Sequence, residues 1–208
     1  MWTEGADVFL ELAGKYCDDK SRILTLWSEI QTHYSDTSRF YHTFNHLQHF
    51  YGELSRIFDR LEDPDAVMFA LFYHDLVYHV TRGDNEEQSA AIARERLHEL
   101  CVDPQCIARC TDHIVATKSH NASEGDAAFF TDADLAILGS DSSAYLRYAE
   151  NVRKEFAVYP DPIFKLGRSG VLQSFLKKDR IFKTEHFFRL YEDQARKNIA
   201  REISELRK

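Results

Sequence analysis

Residues 66–80 read AVMFALFYHDLVYHV, the most apolar run in the chain, broken only by His74, Asp75 and His79. Apolar side chains at nearly every helical position leave no polar face, so a helix here must be surrounded by protein. The run falls short of the roughly 20 apolar residues that cross a bilayer. It therefore predicts a buried helix and not a membrane span. Just upstream, Pro64 follows Asp63, the order of an N-cap and a first helical residue, because proline lacks the N–H that a helix start leaves unpaired. Asp103-Pro104 and Asp161-Pro162 repeat that signature, and Asn85-Glu86-Glu87 and Asp141-Ser142-Ser143 mark further starts.

Outward from this run, only 8 glycines and 4 prolines punctuate 208 residues. The intervals carry apolar residues three and four apart, as in LTLWSEI at 24–30 and YLRYAENVRKEF at 145–156. This pattern predicts an all-α fold with helices at 4–14, 20–33, 42–61, 64–79, 86–100, 104–117, 132–138, 141–158, 162–178 and 184–206, and a long loop at 119–131. No alternating strand pattern persists, no repeat is visible and no Ser/Gly/Pro-rich linker divides the chain. The expectation is a single-domain helical bundle over 1–208, with a motif-bearing core at about 39–139 and C-terminal helices at 141–207 packed on it.

Composition is that of a globular domain, with 44% apolar and 29% charged residues. The net charge of −8 comes from 26 basic and 34 acidic residues spread along the chain. With no basic block, long nucleic acid is not an expected partner. The opening MWTEGADVFLELAG reads as an acidic amphipathic helix and lacks the basic-then-apolar order of a signal peptide, which predicts a cytoplasmic protein. Cys17, Cys101, Cys106 and Cys110 form no CxxC pair and are read as reduced thiols. Cys106, Cys110 and His113 share one helical segment, whereas zinc sites draw on close pairs plus a second segment, so small buried thiols are the better reading.

The residues able to do chemistry fall into three clusters. In RFYHTFNH at 39–46, His42 and His46 stand four apart, which on a helix aims both imidazoles at one small volume. His74 and Asp75 lie inside the apolar run, where an imidazole and a carboxylate lose their water unless a bound cation compensates. Asp132 and Asp134 head the run LAILG, where acidic groups also complement a helix dipole. Half-buried, hydrogen-bonded histidines would explain the first cluster by itself, and no single cluster is decisive.

Together, the order His, His-Asp, Asp on separate helices resembles the HD superfamily of metal-dependent phosphohydrolases over roughly residues 39–139. The similarity is to predicted HD-type hydrolases carrying R-x-YH-x-x-x-H, YHD-x-VY, NE-x-x-SA, T-K-x-H and D-A-D-L-A-I-L-G. These strings occur here in that order at 39–46, 73–78, 85–90, 117–120 and 132–139. The resemblance implies that His46, His74 and Asp75 are metal ligands, with the last aspartate supplied by Asp134 or Asp132. Asp134 better matches the Ala-Asp that precedes an apolar stretch in many HD proteins. His42 sits where related cyclic-nucleotide phosphodiesterases keep a proton donor, and an imidazole suits that task. Arg39 and Lys118 are candidates to grip substrate phosphate, Arg39 through its planar fork. His113 and His120 lie where some HD proteins hold a second metal, but seven residues, about 10 Å along a helix, separate them, so His120, which ends the T-K-x-H element, is the better candidate; without a second metal, His120 and Lys118 would contact substrate phosphate.

Mixed histidine and carboxylate ligands suit manganese, iron, cobalt, nickel or zinc better than calcium. One ion is expected, and the two later histidines leave room for a second. The implied function is hydrolysis of a small phosphate ester, with a nucleotide as the leading candidate, and no Walker-type loop holds the phosphate. Two other readings stay open: a non-catalytic regulatory protein that keeps the metal pocket, and a di-iron HD-type oxygenase using His113 and His120. Glu86, Glu192, Arg196 and Asn198 fit the family's pattern without a derived chemical role, and the oligomeric state is left open.

Overall fold

The computed structural model describes residues 2–207, and among them every regular element is helical. The chain divides after Thr131 into two compact units. The first contains α1 (Thr3–Gly14), α2 (Lys20–Tyr34), α3 (Phe44–Ser55), α4 (Pro64–Tyr73), α5 (Asn85–Glu99) and α6 (Pro104–Ala116). The division falls within α7 (Gly125–Asp134). The second unit continues through a 3-10 turn (Leu135–Gly139) into α8 (Ser142–Glu155), α9 (Asp161–Leu176) and α10 (Glu185–Leu206).

In the first unit α4 is the central element. It packs against α1, α3, α5 and α6, and every residue from Ala66 to Tyr73 is buried. Phe69, Leu71 and Phe72 expose no surface, and burying each stabilises the fold by about 1.5–3 kcal/mol. The start of α4 is as the sequence predicts: the Asp63 carboxylate accepts from the Ala66 amide at 3.1 Å with Pro64 in the first turn. Asp126, in the first turn of α7, accepts from the Glu62 and Asp63 amides at 2.8 and 2.7 Å and fixes the approach to α4. Asp103 likewise caps α6, accepting from the Gln105 amide.

Several expected boundaries move. The third aspartate-proline pair is shifted by one, since Asp161 already lies in α9 and its carboxylate is taken by Arg153 at 2.6 Å. The segment 119–131 is not one long loop, because α7 begins at Gly125. α3 begins at Phe44, with Thr43 as its N-cap, and α4 stops at Tyr73 although the apolar pattern runs on to Val80. Both of the last two changes bear on the site.

The second unit is organised around α10, which packs on α9 and on the Leu135–Gly139 turn. Asp132 accepts from the Lys183 amide, the Thr184 amide and the Thr184 hydroxyl at 2.9, 2.7 and 2.7 Å, tying α7 to the head of α10. Glu192 accepts from the Ile181 and Phe182 amides and from Arg196, whose Nη2 donates to the carbonyls of Lys178 and Asp179 beyond α9. Asn198 donates to the carbonyls of Leu138 and Ser140. These three residues therefore hold the loops of this unit, which is the role their chemistry alone did not reveal.

Candidate metal centre

His46 is the third residue of α3, on the face that buries Phe44, Leu47, Phe50 and Leu54. His74 is the C-cap of α4, and Asp75 follows it in the turn. The helix end brings these groups together. His74 Nδ1 lies 3.0 Å from the Leu71 carbonyl, and a carbonyl can only accept, so Nδ1 carries the proton and Nε2 of the neutral ring is a lone pair. That lone pair faces His46 Nε2 at 3.0 Å and Asp75 Oδ2 at 2.9 Å, while His46 Nε2 and Asp75 Oδ2 are 3.6 Å apart.

Three electron-rich atoms at these separations repel one another unless a proton or a cation lies among them. Nitrogen and oxygen donors bound at about 2.0–2.2 Å on neighbouring positions around one ion stand about 3.0–3.5 Å from each other. The triangle fits that requirement. The N–H of a ligating histidine is ordinarily donated to a carbonyl or carboxylate, as His74 does here to Leu71. Burial pushes the Asp75 carboxyl up, but with no cation among the three atoms the protonated imidazoles of His74, His42 and His46 outweigh it and hold the group below the usual carboxylate range. Asp75 is therefore an anion at neutral pH.

The walls of the centre are aromatic. Phe50 lies against His46 and His74, with ring centroids 5.9 and 5.3 Å apart, and Tyr41 stands 5.0 Å from His46. Phe130 packs on Phe50 at 4.8 Å and on His74 at 6.0 Å. Low polarity around the donors strengthens their attraction for a cation.

The other candidates are placed as follows. His42 precedes the N-cap of α3 and so does not share a helix with His46 as expected, yet its ring is 5.7 Å from the His46 ring and stacks on Tyr78 at 4.0 Å. Arg39 is buried, and both terminal nitrogens of its guanidinium donate to backbone carbonyls, those of His42, Asp75 and Leu76. Lys118 Nζ donates to the Gly83 carbonyl and pairs with Glu87, so it straps the loop before α5 to the end of α6. Among the described residues, the group of metal-capable atoms gathered within 4.8 Å is His46, His74 and Asp75. His120 is not in it. It occupies the turn after α6 with φ of 49° and its amide donates to the Ala116 carbonyl, a left-handed helix-end position. His113 is also outside the group: its ring stacks on the Phe130 ring at 5.8 Å, and neither of its buried nitrogens has a hydrogen-bond partner among the described residues. Asp134 ends α7 and belongs to the second unit, while Asp132 is spent on the head of α10.

Sequence reasoning missed the residues that shape the chain after Asp75. Asn85 and Ser89, one turn apart on α5, clasp the backbone after Asp75 at two alternate residues. Val77 N–H donates to Ser89 Oγ at 3.0 Å, and Asn85 exchanges two hydrogen bonds with the His79 backbone at 3.1 and 3.0 Å. The NE-x-x-SA spacing is thus the i, i+4 geometry of a clasp, and the spacing itself was the available signal. Comparison of the chain with protein-family models, with curated proteins and with solved structures found no match.

Proposed function

We propose that the chain is a metal-dependent phosphohydrolase acting on a small phosphate ester, with a nucleotide as the leading substrate class. The observation that carries this reading is the convergence of His46 Nε2, His74 Nε2 and Asp75 Oδ2 into a triangle of single-ion size. The order of the five motifs in the sequence supports the choice of phosphate chemistry. Manganese, iron, cobalt, nickel and zinc suit the donor set. Such an ion supplies Lewis acidity, lowering the pKa of a water and polarising a phosphoryl oxygen.

The protein's own contribution is to hold and to protonate. His46 and His74 present nitrogen lone pairs, and Asp75 adds the negative charge that favours a dication over a proton. Phe50, Phe130 and Tyr41 keep bulk water from the buried side of the donors. His42, half-buried beside His46 and backed by Tyr78, gives its proton to the departing alkoxide oxygen.

The test is a phosphate-release screen over nucleotides and sugar phosphates, run on protein loaded in turn with each of the five metals. Turnover that needs metal and falls by about 10²–10⁴-fold in His42→Asn, with metal binding retained, is the expected result. Metal bound without release of phosphate from any compound would favour a regulatory pocket.

A further inference from the structure

The two halves of the centre come from distant segments, His46 from the start of α3 and His74-Asp75 from the end of α4, and one side chain joins them. Arg39 Nη1 donates both to the His42 carbonyl at 3.3 Å and to the Asp75 carbonyl at 2.7 Å, while Nη2 donates to the Leu76 carbonyl at 2.8 Å. The guanidinium also lies over the rings of Tyr34 and Tyr78 at 5.0 and 5.6 Å. Asp75 and Leu76 follow the end of α4, and the buried guanidinium satisfies their carbonyls while lying at the negative end of the helix dipole. The fork thus fixes the backbone of a ligand on one side and the turn leading to His46 on the other.

We propose that Arg39 is a positioning residue for the metal, setting the distance between the His46 and the His74-Asp75 sides without touching ion or substrate. The inference rests on the metal-site reading above. Lysine cannot replace it, because a single ammonium lacks the planar pair of nitrogens that spans three carbonyls. Loss of an outer partner of a metal ligand typically weakens metal binding on the order of 10–100-fold.

The test compares wild type, Arg39→Lys, Arg39→Ala and Asp75→Ala by calorimetric titration with zinc and with cobalt, by the visible spectrum of the cobalt form, and by the melting temperature of the metal-free protein. Arg39→Lys and Arg39→Ala are expected to stay folded, bind zinc 10–100-fold more weakly than wild type, and show an altered cobalt spectrum; in Arg39→Ala, 10–50 mM guanidinium, about the range of weak non-covalent binding, restores it. A lowered melting temperature with zinc affinity and cobalt spectrum unchanged would overturn the positioning role alone. Absence of zinc and cobalt binding in wild type would overturn the metal site and this inference with it. Should the variants fail to fold, the Arg39 side-chain N–H signals of wild type decide by nuclear magnetic resonance: they shift on zinc addition if Arg39 couples to the site, and stay fixed if it does not.

Discussion

The Nε2 atoms of His46 and His74 face each other at 3.0 Å, although 28 residues separate them in the sequence. With Nδ1 of His74 donating to the Leu71 carbonyl, this pair puts a lone pair where the Asp75 carboxylate also points. A dication resolves that clash more fully than a proton, because it satisfies all three atoms at once.

Asp75→Asn is the mildest way to remove the charge. Arg39 holds Asp75 by its carbonyl oxygen and not by its carboxylate, so the turn is expected to keep its shape. Metal affinity should drop at least tenfold, or about 1.4 kcal/mol, while the helical circular dichroism is retained. Equal zinc affinity in wild type and Asp75→Asn would remove Asp75 from the ligand set.

Asp132 is expected to matter for stability and not for metal. Its carboxylate serves two amides and a hydroxyl at the head of α10, and Asp132→Ala leaves buried donors unpaired at a cost of about 1–3 kcal/mol. Urea denaturation should show a lower midpoint, with zinc stoichiometry unchanged. Loss of zinc in a folded Asp132→Ala protein would restore it as a ligand.

Gly139→Ala tests why the LAILG run ends in glycine. A Cβ at this position would lie 2.4 Å from Tyr191 Cβ and 2.7 Å from its carbonyl oxygen, both on α10. Backbone cannot move aside as a flexible side chain can, so a loss of about 1–3 kcal/mol or more is expected. An unchanged melting temperature would show that α10 does not seat so closely on that turn.

His113→Phe is expected to ease acid sensitivity. Burial holds the His113 pKa below the ordinary histidine value against the pull of Asp126. The folded state thus resists a proton that the unfolded chain accepts, and stability is lost as pH falls below about 6.5. The difference in urea midpoint between pH 7.5 and 5.5 should shrink in His113→Phe. If it stays the same, or if the variant loses metal, the ring nitrogens of His113 have a role beyond packing on Phe130.

Much of this was legible beforehand, for identifiable reasons. Pro64 and Pro104 mark helix starts because a cap and a missing N–H act locally. His74 and Asp75 stood out because ionisable groups inside an apolar run need a partner, and His46 through its four-residue spacing from His42 and the order of the motifs. The end of α4 was hidden, since Leu76, Val77 and Tyr78 continue the apolar pattern. What turns the chain there is the Leu71 carbonyl taken by His74, Arg39 from 36 residues upstream, and the clasp by Ser89 and Asn85. Arg39 was misread for the same reason: a forked cation beside a histidine suits a phosphate as well as it suits backbone carbonyls, and only the fold distinguishes them.

The most direct measurement is anomalous diffraction at the zinc edge from zinc-soaked crystals of wild type. One strong peak is expected, within about 2.0–2.3 Å of His46 Nε2, His74 Nε2 and an Asp75 oxygen. No peak at these three atoms, with zinc bound elsewhere or not at all, would contradict a metal centre at the junction of α3 and α4.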